Sequence, residues 1–256
     1  MASNLSNLVR ACVVPALIVL AWAFVAISGQ TPAYVLPSPL KVAETFWEFV
    51  FGGGNQPFAG TFWLHFWASL QRVAAGFCVG AGLAIPLGIA LGYSETLARY
   101  FEPTIQLTRA IPGICWLPLA LIWFGIGTAT SVFLISLGSF YAVLVSTLQG
   151  VKYVDTKYLR AARCLGANER DILTSIIFPA AFPSILSGLR IGLSYSWVYM
   201  VLGEFTGVNT GLGATLLQSR ETLETDLIIV LMILIGVIGY ISDYLMLLLT
   251  RRFVHG

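Results

Sequence analysis

Long stretches without an ionisable side chain alternate with short polar interruptions along this chain. Arg10 to Lys41 encloses 30 uncharged residues, Arg72 to Glu95 encloses 22 and Arg109 to Lys152 encloses 42. A bilayer core takes about 20 apolar residues per helix and penalises ionised side chains, so each run holds at least one span. The longest holds two, broken at Gly125-Ile126-Gly127-Thr128, where two glycines and a threonine favour a tight turn. Two more apolar stretches follow, one carrying Arg190 and the other Asp243. The pattern predicts an all-α membrane protein: a single transmembrane domain, 1–256, with six helices over 11–29, 70–94, 108–125, 130–150, 184–204 and 227–249.

Residues 30–69 read as an external segment. Pro37-Ser38-Pro39 opens it, Val42 to Phe51 has the spacing of an interfacial helix, and Gly52-Gly53-Gly54-Asn55 breaks that helix. Trp47, Trp63 and Trp67 suit the headgroup level, where an aromatic ring sits half wet. With the N-terminus inside, ten Lys and Arg residues (Arg10, Arg99, Arg109, Lys152, Lys157, Arg160, Arg163, Arg170, Arg251, Arg252) fall in the cytoplasm, against Lys41 and Arg220 outside. That bias predicts cytoplasmic N- and C-termini. Ala21-Trp22-Ala23 loosely resembles a signal-peptide cleavage site, but the apolar run is too long for a signal core, so an uncleaved helix is expected.

Gly76, Gly80, Ala84, Gly88 and Gly92 recur every fourth residue and line one side of the second span for about 24 Å at 1.5 Å per residue. Ser184, Gly188, Gly192 and Ser196 make a second ladder on the fifth span. Such faces predict close helix contacts, and Pro86 within the first predicts a kink.

Composition narrows the function. Charged residues are 10%, hydrophobic residues 57% and mean hydropathy +0.84, against about 25% charged in a soluble domain. Net charge is only +2, and no basic run carries interleaved aromatics, which argues against a nucleic-acid partner. Cys12, Cys78, Cys115 and Cys164 lack CxxC spacing and read as packing residues. His65 and His255 are the only histidines, so neither a paired-His metal site nor a Ser-His-Asp arrangement can be assembled inside the bundle. A phosphate-cradling GxxxxGK[ST] loop is also missing. No catalytic residue, metal site or cofactor of its own is expected, and any ATP must be hydrolysed on another chain. Glu204 and Asp243 are the residues an ion-gradient carrier would use as a proton relay, but Glu204 closes the fifth span on the outer side while Asp243 falls toward the inner end of the sixth. A membrane scaffold protein is the alternative from a different class.

The polar island over 152–171 holds Lys152, Lys157, Arg160, Arg163 and Arg170, five of the fourteen basic residues. Asp155 or Thr156 can cap a short helix, Lys157 to Leu165 favours its continuation, and Gly166 stands where a left-handed C-terminal residue is wanted. Asn168 can cap a second helix, with Glu169 and Asp171 in its first turn complementing the helix dipole. The prediction is helix, glycine elbow, helix, with Ala161-Ala162 as a low-profile surface over which a partner's groove can close.

Ala161-Ala162, three residues, Gly166, nine residues, Ile176, one residue and Phe178-Pro179 resemble the EAA motif of binding-protein-dependent ABC importer permeases. Arg160 stands where that motif has Glu, and Phe178 where it has Leu. Arg109-Ala110-Ile111-Pro112, Trp116-Leu117-Pro118-Leu119, Trp123-Phe124-Gly125-Ile126-Gly127, Pro37-Ser38-Pro39, Ser69 to Phe77, and Glu204 followed by Gly211-Leu212-Gly213 are similar to the nitrate, sulfonate and taurine subfamily. The resemblance implies a type I permease, a five-helix core plus one N-terminal helix, in the bacterial inner membrane. It further implies a homodimer bound to two ABC ATPase subunits, which carry the ATP and Mg, and to a periplasmic solute-binding protein. The coupling residues it implies are Lys157, Arg160, Ala161, Ala162, Arg163, Leu165, Gly166, Ala167 and Asn168. For the translocation pathway, Arg109, Trp116, Trp123, Arg190, Ser194, Tyr195 and Glu204 are the polar or amphipathic candidates, and an anionic cargo would meet the two arginines. The competing reading is that these arginines snorkel to the interface.

Overall fold

Prolines, glycines and caps set where the helices start and stop. The computed structural model describes residues 2–28, 32, 34–54 and 57–254, with side chains described for those within 13–250. Its helices are α1 (Ala2–Ile27), α2 (Pro39–Phe51), α3 (Phe62–Tyr93), α4 (Glu95–Ala110), α5 (Leu117–Phe124), α6 (Thr128–Lys152), α7 (Thr156–Cys164), α8 (Glu169–Ile172), α9 (Phe178–Glu204), α10 (Leu212–Glu221) and α11 (Thr225–Val254). A 3-10 turn, Gly113–Trp116, leads into α5, and a π turn, Leu173–Ile177, leads into α9. Pro179 can give no N–H to the Ser175 carbonyl and its ring crowds that oxygen, which accounts for the widened turn before it. No strand occurs among the described residues.

Four stretches are long and apolar enough to cross a membrane: Phe62–Tyr93, Thr128–Lys152, Glu169–Glu204 and Thr225–Thr250. The span expected over 108–125 is not a straight helix. Glu95–Ala110 and Gly113–Phe124 meet at 93°, and count as a fifth span only if taken together. Pro112 causes the break, since it biases Ile111 to extended backbone (φ −72°, ψ 119°) and supplies no N–H of its own. At Pro86, by contrast, α3 continues. The turn expected at Gly125 to Thr128 is present, with Gly125 and Gly127 at φ +71° and +151°. In the first expected span, 11–29, Val13–Ile27 is a shorter apolar helix. The side chains of Arg10, Cys12, Arg251 and Arg252, and His255 altogether, lie outside the described residues.

The chain divides into two compact units, one of 1–66 with 215–234, the other of 67–214 with 235–256. In the first, the interfacial helix expected after Pro37-Ser38-Pro39 is α2. The Ser38 side chain accepts from the Lys41 N–H at its start, and Val42, Thr45 and Phe49 form its buried face. Phe49 meets the Phe62 ring edge-on and stacks on His65. Thr45 Oγ1 donates to Asp226 Oδ2 at 2.7 Å, and Trp22 Nε1 donates to the Pro37 carbonyl at 3.0 Å. Burial pushes the Glu224 carboxyl above its ordinary range, and the neighbouring Asp226 charge adds to the rise.

In the second unit α6 is the shared wall. A Cβ added at Gly76 would lie 2.5 Å from Ile135, at Gly88 2.7 Å from Thr147 and at Gly92 2.5 Å from Val151. The α9 ladder meets α6 likewise: a Cβ at Gly188 would lie 2.6 Å from Ser146, and one at Gly192 2.8 Å from Val143. Both ladders are therefore helix-contact faces, holding α3 and α9 at near-backbone approach to one helix. Leu134, Ile135, Val143 and Leu144 on α6 are fully buried as a result. Cys78, Cys115 and Cys164 are free thiols on the outside of the chain, so the packing role expected of them is not realised within it.

Candidate functional site: a polar elbow and an arginine cleft

The 152–171 segment forms the predicted elbow. Asp155 caps α7, its side chain accepting from the Lys157 N–H at 2.8 Å. At the other end Ala167 N–H donates to the Ala162 carbonyl and Gly166 N–H to the Arg163 carbonyl, both at 3.1 Å, the pair of bonds that defines a Schellman ending. Gly166 has φ +84°, a conformation that other residues reach only at a cost. Asn168 and Asp171 then exchange bonds in a capping box at the start of α8. Arg163 reaches across the bend to Glu169 at 3.4 Å.

One expectation is corrected. Ala162 does not belong to an outward surface, because it packs with Val151, Ile172, Ile177, Ala181 and Ile185 in the chain's own core. At helical spacing neighbouring residues point about 100° apart, so Ala161 is left exposed while Ala162 is buried. Lys157, Arg160, Arg163, Gly166 and Asn168 are exposed and Ala167 is half-buried. Leu165 is 88% exposed, and Tyr158 and Tyr153 are exposed beside it. These large apolar side chains on a polar bend are left uncovered by the chain itself.

The pathway candidates scatter. Arg109 and Tyr195 share a cleft of about 350 Å³, also lined by Gly138, Tyr141, Ser146 and Tyr199. The Tyr199 ring is wedged between two glycines: a Cβ at Gly113 would lie 2.3 Å from it and one at Gly138 2.5 Å. Arg190 instead faces Asp243 in a two-pronged ion pair, Nε to Oδ1 at 3.0 Å and Nη2 to Oδ2 at 2.6 Å. Ser194 lines a separate groove of about 610 Å³ with Trp197, Gly236, Gly239 and Asp243. Trp116 is half-buried, with an indole N–H that has no partner among the described residues. Trp123 lies exposed, edge-on to the rings of Phe124 and Phe133.

Glu204 is fully buried. Its Oε1 accepts from Ser69 Oγ and Arg72 Nη1, both at 2.7 Å, and its Oε2 from the Gly213 N–H at 2.8 Å. Ser69 Oγ in turn accepts from the Leu212 N–H at 2.8 Å, and Arg72 Nη1 also donates to the Thr210 carbonyl at 2.6 Å. The carboxylate thus caps the start of α10, whose first N–H groups have no helical partner. Gly211 has φ +139°, and a Cβ there would fall 2.4 Å from the Glu204 carboxyl. The spacing from Glu204 to Gly211-Leu212-Gly213 is therefore the geometry of a buried lock.

Arg72, Tyr141 and Tyr199 were not singled out as site residues from the sequence. Arg72 and Glu204 carried a usable signal, being opposite charges at the edges of two spans predicted to end on the same side. The tyrosines carried none, because only packing tells which face of a span a ring takes.

Comparison with known proteins agrees with this architecture. Residues 84–255 match the family described as the inner membrane component of binding-protein-dependent transport systems. The chain is 32% identical to the aliphatic sulfonates transport permease protein SsuC of Bacillus subtilis, over 95% of this chain and 86% of that one. It is 36% identical to the taurine transport system permease protein TauC of Escherichia coli, over 90% of this chain and 83% of that one. Among solved structures, the inward-facing MetNI methionine ABC transporter shares the fold at a TM-score of 0.58 and 21% identity, over 70% of this chain and 92% of that one.

Proposed function

The chain belongs to the binding-protein-dependent inner membrane transport components, and from that premise we propose that it carries a small anionic solute inward, driven by a separate ATPase that grips residues 157–170. It is an ABC importer permease, a multi-pass protein of the inner membrane. In the proposed arrangement six helices cross the membrane with both termini and the elbow in the cytoplasm, and a second copy of the permease, two ATPase subunits and a periplasmic solute-binding protein complete the importer. Closure of the ATPase pair on ATP would draw the two elbows together and turn the bundle from inward- to outward-facing. Release of ADP and phosphate would reset it.

The observation that carries the coupling reading is the elbow itself. Two capped helices joined by a Schellman turn make a stiff lever, and that lever packs into the bundle through Ala162 and Ile172 while offering Ala161, Tyr158 and Leu165 outward. A force applied to the outer face therefore reaches α9 through packed side chains. The cargo reading is supported by the names of the relatives, which mention transport of aliphatic sulfonates and of taurine. An ion-gradient carrier has less support, since Glu204 and Asp243 are each already neutralised by an arginine.

The test is substitution of the outward face. Leu165→Asp and Ala161→Asp are expected to abolish uptake, and the stimulation of ATPase activity by loaded binding protein, without loss of the permease from the membrane. Ala162→Asp would instead bury a charge in the elbow's own core and report on folding. Stimulated ATPase activity that survives both outward substitutions would rule out the elbow as the coupler.

A further inference from the structure

The bundle's charges pair off with a remainder. Arg72 holds Glu204, Arg190 holds Asp243 and Lys152 holds Glu102. Arg109, at the end of α4, has no acidic partner among the described residues. It lies along the cleft of about 350 Å³ with Tyr141, Tyr195 and Tyr199, a volume within the roughly 300–1,000 Å³ of small-molecule sites. None of the three phenol groups has a hydrogen-bond partner among the described residues.

From this we infer that the Arg109 cleft is a binding station for a small organic monoanion on its way through the permease. The inference rests on the importer reading above and assigns its cargo chemistry to particular atoms. A guanidinium presents two parallel N–H donors that match the oxygens of a sulfonate or carboxylate, and phenol O–H groups supply further donors. Arg109 is the one cation lining the cleft among the described residues, and one guanidinium balances one negative charge, so a monoanion fits better than a dianion such as sulfate. Val145 and Ile191, also on the cleft wall, take a short hydrocarbon tail. Tyr199, fixed between Gly113 and Gly138, makes one wall rigid. Arg190 cannot serve in the same way while Asp243 occupies both prongs of its guanidinium.

The decisive experiment uses the assembled permease, ATPase and binding protein in nanodiscs, treated with phenylglyoxal and read by mass spectrometry at each arginine. Ethanesulfonate is expected to protect Arg109 severalfold, leaving the exposed Arg99 unaffected, whereas ethylammonium and sulfate should protect neither. Equal modification of Arg109 with and without ethanesulfonate, taurine, nitrate and bicarbonate overturns the inference. In a second arm, Arg109→Gln should raise the KM for uptake roughly 10- to 100-fold, the loss of a charge-assisted two-pronged contact. Tyr195→Phe should raise it less. Unchanged uptake by Arg109→Gln, in a complex whose ATPase still responds to binding protein, removes the station and leaves the importer intact. A wild-type ATPase that never responds to binding protein removes the importer reading, and Arg109 protection is then judged by itself.

Discussion

Two arginine–carboxylate pairs in the larger unit use the same chemistry to different ends. Arg72–Glu204 is sealed, with side chains 8% and 0% exposed, while Arg190–Asp243 is open, at 33% and 30%. Glu204 also receives a hydroxyl and a backbone N–H, so its charge is shared among three groups, Arg72, Ser69 and Gly213, and Ser69 in turn holds the Leu212 N–H at the start of α10. Among the described residues Asp243 receives Arg190 alone and clasps α9 to α11 at one point. A buried pair is costly to form and costlier to break singly, because the surviving charge stays desolvated. An open pair toward the end of its span can be rehydrated where water reaches it, so its loss is milder. Burial and the number of satisfied partners, more than ion-pair distance, separate a lock from a clasp.

Breaking the sealed pair should have the largest effect. Glu204→Gln leaves Arg72 buried without a counter-charge and is expected to cost about 3–5 kcal/mol, seen as loss of folded permease from the membrane or a sharp fall in Tm. Replacing Arg72 and Glu204 together by Leu should cost less than either single change, which a double-mutant cycle would measure.

The open pair sharpens the contrast. Asp243→Asn should cost no more than about 1 kcal/mol and leave the protein expressed and folded. The exchange of both residues, Arg190→Asp with Asp243→Arg, should restore the clasp, whereas the same exchange of Arg72 and Glu204 should fail because the N–H donors of Leu212 and Gly213 cannot turn to meet a cation. A Tm for Asp243→Asn as low as that of Glu204→Gln would break the comparison.

The smallest effect lies in the other unit, at Glu224. Its carboxyl is raised by burial and by Asp226, so the folded state holds a proton more tightly than the unfolded chain. Stability is therefore lost as pH rises through the window between the unfolded and folded values. Above that window Glu224→Gln should stabilise the protein by less than about 1 kcal/mol, seen as a slightly higher Tm, and leave Tm unchanged at lower pH. Melting curves across pH check both halves of that expectation.

Much of the elbow could be read from the sequence because its causes are local. Asp155, Gly166 and Asn168 each act on backbone groups within five residues, and both glycine ladders announced helix contacts by their spacing. The bend within the span expected over 108–125 was not foreseen, because the residues from 110 to 125 are apolar throughout, while Pro112 and the residue before it decided the backbone. Ala162 was misplaced for a different reason. An alanine pair does not say which member faces inward until Ile172, Ile177 and Ala181 have folded back against it.

The chain's class, its apolar spans and the glycine bend were thus set by the sequence itself, since hydropathy, capping and the left-handed turn depend on residue type over one or two helical turns. Which arginine finds a counter-charge was decided only in three dimensions. Arg72 finds Glu204 132 positions away and Arg190 finds Asp243 53 positions away, and Arg109 has no such acid among the described residues. Ion pairing over those separations depends on how helices pack, and no local pattern encodes it.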